Sequence, residues 1–249
     1  MGVTYMARSF MAGTIIGGGM AYVRGRDAEH IKVLRLRPGE DVVICDGQGT
    51  DYKCRLIKSE AEEAELEVLE VKPCTAEPSV DVTVLCGLPK GSDRTDYILQ
   101  KSVEAGAKEI MFFDCERCVA KPDEPERKLE RWQRIAEEAA KQTGRGIIPQ
   151  VSWAGKFADM LNVAVKKDLG LFLYETGDRE RLDIVLEANK SIKTAAVITG
   201  PEGGFEKYEA DLARTVGLHI CSMGERILRC ETAPIVALTA VMYATGNLS

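Results

Sequence analysis

Thr199-Gly200-Pro201-Glu202-Gly203-Gly204-Phe205 decides how the rest of the chain is read. It follows 194–199, an apolar β-rich run of strand length, and ends it with a proline and three glycines that suit neither a helix nor a strand interior. The same arrangement recurs on either side. Residues 169–174 are a strand candidate running into Tyr174-Glu175-Thr176-Gly177. Residues 218–223 are another, running into Met223-Gly224-Glu225-Arg226-Ile227-Leu228-Arg229-Cys230-Glu231-Thr232-Ala233-Pro234, which opens a final helix. Further out, 80–85 and 110–113 read as strands, and 126–142 as a helix with Leu129, Trp132, Ile135, Ala136, Ala139 and Ala140 on one face. Trp132 is expected in the core or on a dimer surface rather than as a base-stacking platform. Apolar strands alternating with helices predict a mainly parallel sheet covered on both faces, with ligands at the carboxyl ends of its strands.

The first part of the chain has a different rhythm. Residues 41–45 and 52–57 are β-rich and flank Asp46-Gly47-Gln48-Gly49-Thr50-Asp51, a hairpin signal. Residues 64–71 alternate apolar and acidic side chains and slip once at Leu69-Glu70, where a bulge is expected. A short helix is expected over 28–34. Short strands around a small core predict a compact barrel. The two-proline stretch Lys72-Pro73-Cys74-Thr75-Ala76-Glu77-Pro78-Ser79 reads as the linker, which gives a domain over 1–73 and another over 74–249.

Composition narrows the class. With 249 residues, 45% hydrophobic and 29% charged, the chain can bury a sizeable core. A net charge of −6 argues against a protein that coats nucleic acid indiscriminately. Residues 1–39 carry six basic side chains against two acidic ones, +4, which leaves −10 for the remainder; an anionic partner is expected at the N-terminal end. The uncharged run 9–23 is too short and glycine-rich to span a bilayer, and the eight cysteines show no disulfide framework, so a reducing cytoplasm is expected. Cys115-Glu116-Arg117-Cys118 has the spacing of a zinc half-site or redox pair. No second pair completes it, and His30 and His219 stand far apart, so no metal is expected.

Glycines at strand ends let backbone approach a flat ligand and expose its N–H and C=O groups. No Gly-Lys-Ser/Thr follows them, which excludes a P-loop, and no G-x-G-x-x-G opens the domain. Taken alone, the turns indicate a nucleotide-like ligand.

In detail, Gly200-Pro201-Glu202-Gly203-Gly204-Phe205 followed by Gly224-Glu225-Arg226-Ile227-Leu228-Arg229-Cys230-Glu231-Thr232-Ala233 resembles the two signature segments of the SPOUT-class uridine-N3 methyltransferases of small-subunit ribosomal RNA. Leu88-Pro89-Lys90-Gly91, Asp93-Arg94, Gln100-Lys101 and Glu104-Ala105-Gly106 resemble the segment that opens that family's catalytic domain. Glu116-Arg117-Cys118-Val119, Arg131-Trp132 and Ala139-Ala140-Lys141-Gln142-Thr143-Gly144-Arg145 continue the likeness in order, and Arg8-Ser9-Phe10 and His30-Ile31-Lys32-Val33-Leu34-Arg35 resemble the opening strand and first helix. The resemblance covers nearly the whole chain. It implies an α/β protein: an N-terminal PUA-like RNA-binding barrel and a C-terminal SPOUT domain with a trefoil knot around a mainly parallel sheet. It also implies S-adenosylmethionine as cofactor and a homodimer. Carried over by position, the cofactor pocket would comprise Tyr174, Glu175, Gly200, Pro201, Glu202, Gly203, Gly204, Met223, Gly224, Ile227, Leu228, Arg229, Glu231 and Thr232. RNA contacts would fall to Arg8, Arg24, Arg26, His30, Lys32 and Arg35. Two positions depart from the family pattern: Cys230, where Thr is expected, and the glycine-rich Gly17-Gly18-Gly19 loop.

The implied reaction needs alignment more than activation, because the sulfonium already carries its leaving group. Uridine N3 is a poor nucleophile while protonated, and lies on the Watson–Crick edge, so the base must be unpaired or flipped out. Arg229 and Arg8, the latter from a second subunit, are the candidates for stabilising charge on the uracil oxygens; Glu202 and Glu231 are those for accepting the proton. Two alternatives stand beside this: a non-catalytic RNA-binding protein with a degenerate cofactor domain, and a SPOUT methyltransferase aimed at tRNA or a ribose 2′-hydroxyl.

Overall fold

The structure is a computed structural model and describes residues 8–10, 14–33, 35–60, 62–120 and 125–248. The chain forms two compact units, Met1–Glu77 with Ala140–Ile148, and Pro78–Ala139 with Pro149–Ser249.

The first unit contains β1 (Arg8–Phe10), β2 (Ile15–Gly17), β3 (Met20–Arg24), α1 (Arg26–Val33), β4 (Asp41–Cys45), β5 (Thr50–Ser59) and β6 (Glu63–Pro73). These strands form one six-stranded sheet in the order β1-β4-β5-β6-β3-β2, antiparallel except for the β1–β4 pair. The β4–β5 hairpin closes where the turn residues stand, with the N–H groups of Gln48 and Thr50 donating to Asp46 Oδ1 at 2.7 and 3.1 Å. Period-two alternation sends Val42 and Ile44, Cys54 and Leu56, Ala64 and Leu66, and Ala21 and Val23 to one core, which Ala28 and Ile31 of α1 cover. The slip at Leu69 is a bulge: Lys53 lies opposite Glu70 and Cys54 opposite Val68, which leaves Leu69 without a partner.

Residues 140–148 return to this unit. Arg145 donates through Nε and Nη2 to the Glu77 carboxylate at 3.0 and 2.8 Å, and the Gly146 and Ile147 amides donate to Glu77 Oε1 at 2.6 and 3.0 Å. Only glycine fits at 146, since a Cβ there would stand 2.4 Å from Cys74 Cβ.

The second unit contains β7 (Asp81–Gly87), α2 (Ser92–Glu104), β8 (Glu109–Asp114), most of α3 (Pro125–Thr143), β9 (Gln150–Lys156), α4 (Phe157–Ala164), β10 (Leu169–Leu173), β11 (Glu180–Arg181), α5 (Leu182–Ala188), β12 (Thr194–Thr199), α6 (Lys207–Thr215), β13 (His219–Ser222) and α7 (Ala233–Ala244). Its seven strands are parallel throughout, in the order β11-β13-β10-β12-β7-β8-β9. Central strands are buried on both faces, as their unbroken apolar runs require: every residue of β10 is buried. Trp132 of α3 is 4% exposed and its ring centroid lies 4.8 Å from that of Phe112 on β8, which makes it core. Because β13, β10 and β12 are neighbours, the three glycine-bearing loops that leave their carboxyl ends emerge side by side.

Candidate active site

Glycines, a proline and backbone hydrogen bonds shape the loops at these strand ends. In the loop after β12, the Gly204 amide donates to the Pro201 carbonyl at 2.9 Å, with Gly204 in the left-handed region (φ +67°). A Cβ on Gly204 would collide with Glu175 Oε1 at 2.4 Å, so the loops after β10 and β12 meet through this glycine. Pro201 is seated against Gly87 at the end of β7, where a Cβ would stand 2.5 Å from Pro201 Cδ. Phe205 then anchors the loop in an aromatic cluster, its ring centroid 4.3 Å from Phe172 and 6.3 Å from Phe113. Arg117 braces the same loop from outside, donating to the Gly203 carbonyl at 2.7 Å and pairing with Glu206 at 2.8 Å. In the loop after β13, the Thr232 and Ala233 amides both donate to the Arg229 carbonyl at 2.9 Å, folding the last turn into α7.

Between the loops lies a cleft of about 470 Å³, within the range of small-molecule sites. Of the pocket residues expected from sequence, Tyr174, Glu175, Gly200, Pro201, Glu202, Gly204, Met223, Gly224, Ile227, Leu228, Arg229 and Glu231 line it. Gly203 and Thr232 do not: Gly203 faces the Arg117 side chain, and Thr232 precedes α7. Sequence reading gave no site role to Arg94, Leu173, Arg179, Thr199, Cys221, Ser222, Arg226, Cys230 and Ala233, which line the same cleft. The strand-end members could have been found by extending each turn one or two residues back into its strand. Arg94 comes from α2, where the Asp93-Arg94 pair carried the family likeness but no site role.

The ionic arrangement is specific. Glu202 Oε1 accepts from the Lys90 amide at 2.9 Å and from Arg94 Nη1 at 2.6 Å. Arg94 Nε lies 3.7 Å from Glu231 Oε2, and Arg229 Nη1 lies 3.9 Å from Glu231 Oε1. Burial pushes the Glu231 carboxyl up, but its own backbone amide, the Cys230 thiol and the charges of Arg94 and Arg229 outweigh that and hold it below the usual carboxylate range. Cys230 Sγ donates to Glu231 Oε2 at 3.2 Å. Burial and the neighbouring Glu231 push the thiol up to about 12, so it stays neutral and acts as a donor, a part that a threonine hydroxyl also plays. The Arg229 side chain is 84% exposed at the cleft.

The remaining expected residues lie in the first unit. Arg24 is paired with Glu63 at 2.5 Å, Lys32 is exposed on α1, and Arg35 is exposed in the left-handed region (φ +54°). The side chains of Arg8, Arg26 and His30 lie outside the described structure. Cys115 and Cys118 are buried thiols with Sγ atoms 3.4 Å apart, and His219 pairs with Glu180 at 3.0 Å. Among the described residues no group of three or more metal-ligating side chains assembles, and no helix is long and apolar enough to cross a membrane.

A doubly covered parallel sheet with a glycine-built cleft at its strand ends defines a nucleotide-ligand α/β domain, and comparison with known proteins refines that class. Residues 76–242 match the RNA methyltransferase domain and residues 23–69 the RNA methyltransferase PUA domain; the chain belongs to this RNA methyltransferase family. It is 31% identical over 233 residues to the ribosomal RNA small subunit methyltransferase E of Bacillus subtilis, covering 91% of each chain. The protein of that name from Synechocystis is 34% identical over 211 residues, 84% of this chain and 68% of the relative. Among solved structures, a ribosomal RNA small subunit methyltransferase E from Neisseria gonorrhoeae bound to S-adenosyl methionine is 30% identical, with a TM-score of 0.84 over 96% of this chain and 98% of that one.

Proposed function

We propose that this protein transfers a methyl group from S-adenosylmethionine to N3 of one uridine in small-subunit ribosomal RNA. The observation that carries the reading is the gathering of the three strand-end loops into one cleft with an exposed guanidinium, Arg229, beside it. The cleft fits the cofactor in kind. Glycines leave backbone open to a flat ring, Leu173, Met223 and Leu228 supply apolar wall, and the Glu202 and Glu231 carboxylates complement a cationic ligand. When bound, the cofactor supplies an electrophilic methyl with a neutral thioether leaving group.

The protein's own part is positioning and charge. Glycine loops hold the ligand against the ends of β10, β12 and β13, and Arg229 presents its charge where a uracil oxygen becomes anionic as N3 loses its proton. Glu202 Oε1 is engaged by Lys90 and Arg94, and the Glu231 carboxyl is held below the usual carboxylate range, which makes it a weak base. Charge stabilisation by Arg229 therefore does more for this site than proton abstraction by either carboxylate. Arg8 takes the same role across a homodimer. A PUA-like unit over 1–73 that contacts RNA through its basic side chains, a knotted methyltransferase unit over 74–249 and a cytoplasmic location complete the reading.

The test is to incubate the protein and labelled S-adenosylmethionine with small ribosomal subunits from cells that lack it, digest the RNA and identify the product. N3-methyluridine at one position is expected. Another methylated nucleoside would move the target within the class, and no transfer with no cofactor binding would favour an RNA-binding protein.

A further inference from the structure

Four charged side chains of alternating sign run along the cleft: Glu202, Arg94, Glu231 and Arg229. They come from three separate places, the loop after β12, the first turn of α2 and the loop after β13. Arg94 is the member that joins the two loops. It folds back on its own turn, donating to the Lys90 carbonyl at 3.1 Å, while the Lys90 amide and Arg94 Nη1 converge on one oxygen of Glu202. Its Nε edge faces Glu231 at 3.7 Å, an ion-pair distance rather than a hydrogen bond. A guanidinium suits this place because its rigid planar fork addresses two carboxylates in fixed directions, where an ammonium is a point charge on a flexible stem. Among the described residues, no backbone hydrogen bond outside the strands joins the loop after β12 directly to the loop after β13. Arg94 is 44% exposed, so its worth lies in geometry rather than in global stability.

We propose that Arg94 is a positioning residue of the methyl-transfer site: it ties the two loops together through Glu202 and Glu231, and through Glu231 it sets where Arg229 stands. The inference rests on the methyltransferase reading above. Glu231 lies between two cations, and the balance of their pull fixes it. Without Arg94, Glu231 pairs with Arg229 alone and draws that guanidinium inward, away from the substrate. Arg94 thus acts on the reaction without touching the reacting atoms.

The experiment is a double-mutant cycle on the full-length protein, reading cofactor affinity by calorimetry and the single-turnover methylation rate at saturating cofactor. Arg94→Ala is expected to weaken cofactor binding and to slow methyl transfer, each by about tenfold, which is ~1.4 kcal/mol. The Arg94→Ala/Arg229→Ala double variant is expected to be about as slow as Arg229→Ala alone, because Arg94 has nothing left to position. Arg94→Lys is expected to recover affinity more than rate, since a point charge still holds Glu202 but does not address both carboxylates. If Arg94→Ala destabilises the fold in a thermal melt, Arg94→Lys replaces it in the same cycle. Rate losses that multiply in the double variant would overturn the proposal, as would an Arg94→Ala protein equal to wild type in both readings. Wild-type protein that neither binds cofactor nor transfers methyl would overturn the methyltransferase reading, and this role with it.

Discussion

Arg229 is exposed while Glu202 and Glu231 are tied down, and this separates two kinds of contribution to the site. Removing an oxyanion-stabilising donor lowers the chemical rate by roughly a hundredfold or more. Arg229→Ala is therefore expected to slow single-turnover methylation by about that factor while changing cofactor affinity only a few-fold; equal losses in both would remove its catalytic role. Gly204→Ala tests the loop geometry instead. The left-handed angle costs about 1–3 kcal/mol and the Glu175 carboxylate must move aside, so cofactor affinity should fall, as calorimetry would show. Cys230→Thr should leave activity intact, because a hydroxyl can donate to Glu231 as the thiol does. Much of this scale was legible in the sequence, because glycines and prolines mark backbone shape at the positions where they stand. The role of Arg94 was not. The Asp93-Arg94 pair stood out only as part of a family likeness, and the partners of Arg94 lie 108 and 137 residues downstream.

At the scale of elements, the Glu77–Arg145 pair is the most consequential contact outside the cleft. Arg145 is buried at 4% exposure and Glu77 is mostly enclosed at 15%, and breaking a buried pair of this kind costs up to about 3–5 kcal/mol. Arg145→Ala should lower the midpoint of denaturant unfolding accordingly. The pH dependence has a definite sign. Burial raises the Glu77 carboxyl, but Arg145 and the Ile147 and Gly146 amides outweigh it and leave the folded value below the ordinary one. A depressed carboxyl contributes stability that is complete above its unfolded pKa and disappears as pH falls through the folded value. The difference in melting temperature between wild type and Glu77→Gln should accordingly be largest near neutrality and close in acid. Element-level legibility followed burial. The apolar runs of β10 and of the middle of β12 were found, whereas β9 was missed because Gln150-Val151-Ser152-Trp153-Ala154-Gly155-Lys156 is a mostly half-exposed edge strand without an alternating pattern. β11, only two residues long, carries no periodicity to read.

For the whole molecule, charge is divided unevenly: +4 over residues 1–39 against −10 over the rest. If the first unit contacts phosphates, RNA affinity should fall steeply with salt, and replacing Lys32 or Arg35 by Ala should each reduce the slope of log affinity against log salt by about 1. Arg24, neutralised by Glu63, should contribute less. An unchanged slope would place the RNA contacts elsewhere. The two-part organisation was visible in the change of rhythm across the two-proline stretch, but the return of 140–148 to the first unit was not, since Glu77 and Arg145 stand 68 residues apart.

That return limits how the gene can be taken apart. A chain cut once after Glu77 would separate the N-terminal sheet from the segment carrying Arg145, leave the Glu77 carboxylate buried without its cation, and strand Gly146 away from the Cys74 surface it was shaped to meet. The N-terminal fragment would lack part of its own interior, while the other would carry 140–148 without the surface it packs on. The N-terminal unit of this protein is thus not a detachable cassette, and a transplant into another scaffold would need both pieces of its discontinuous sequence, spliced through a designed bridge.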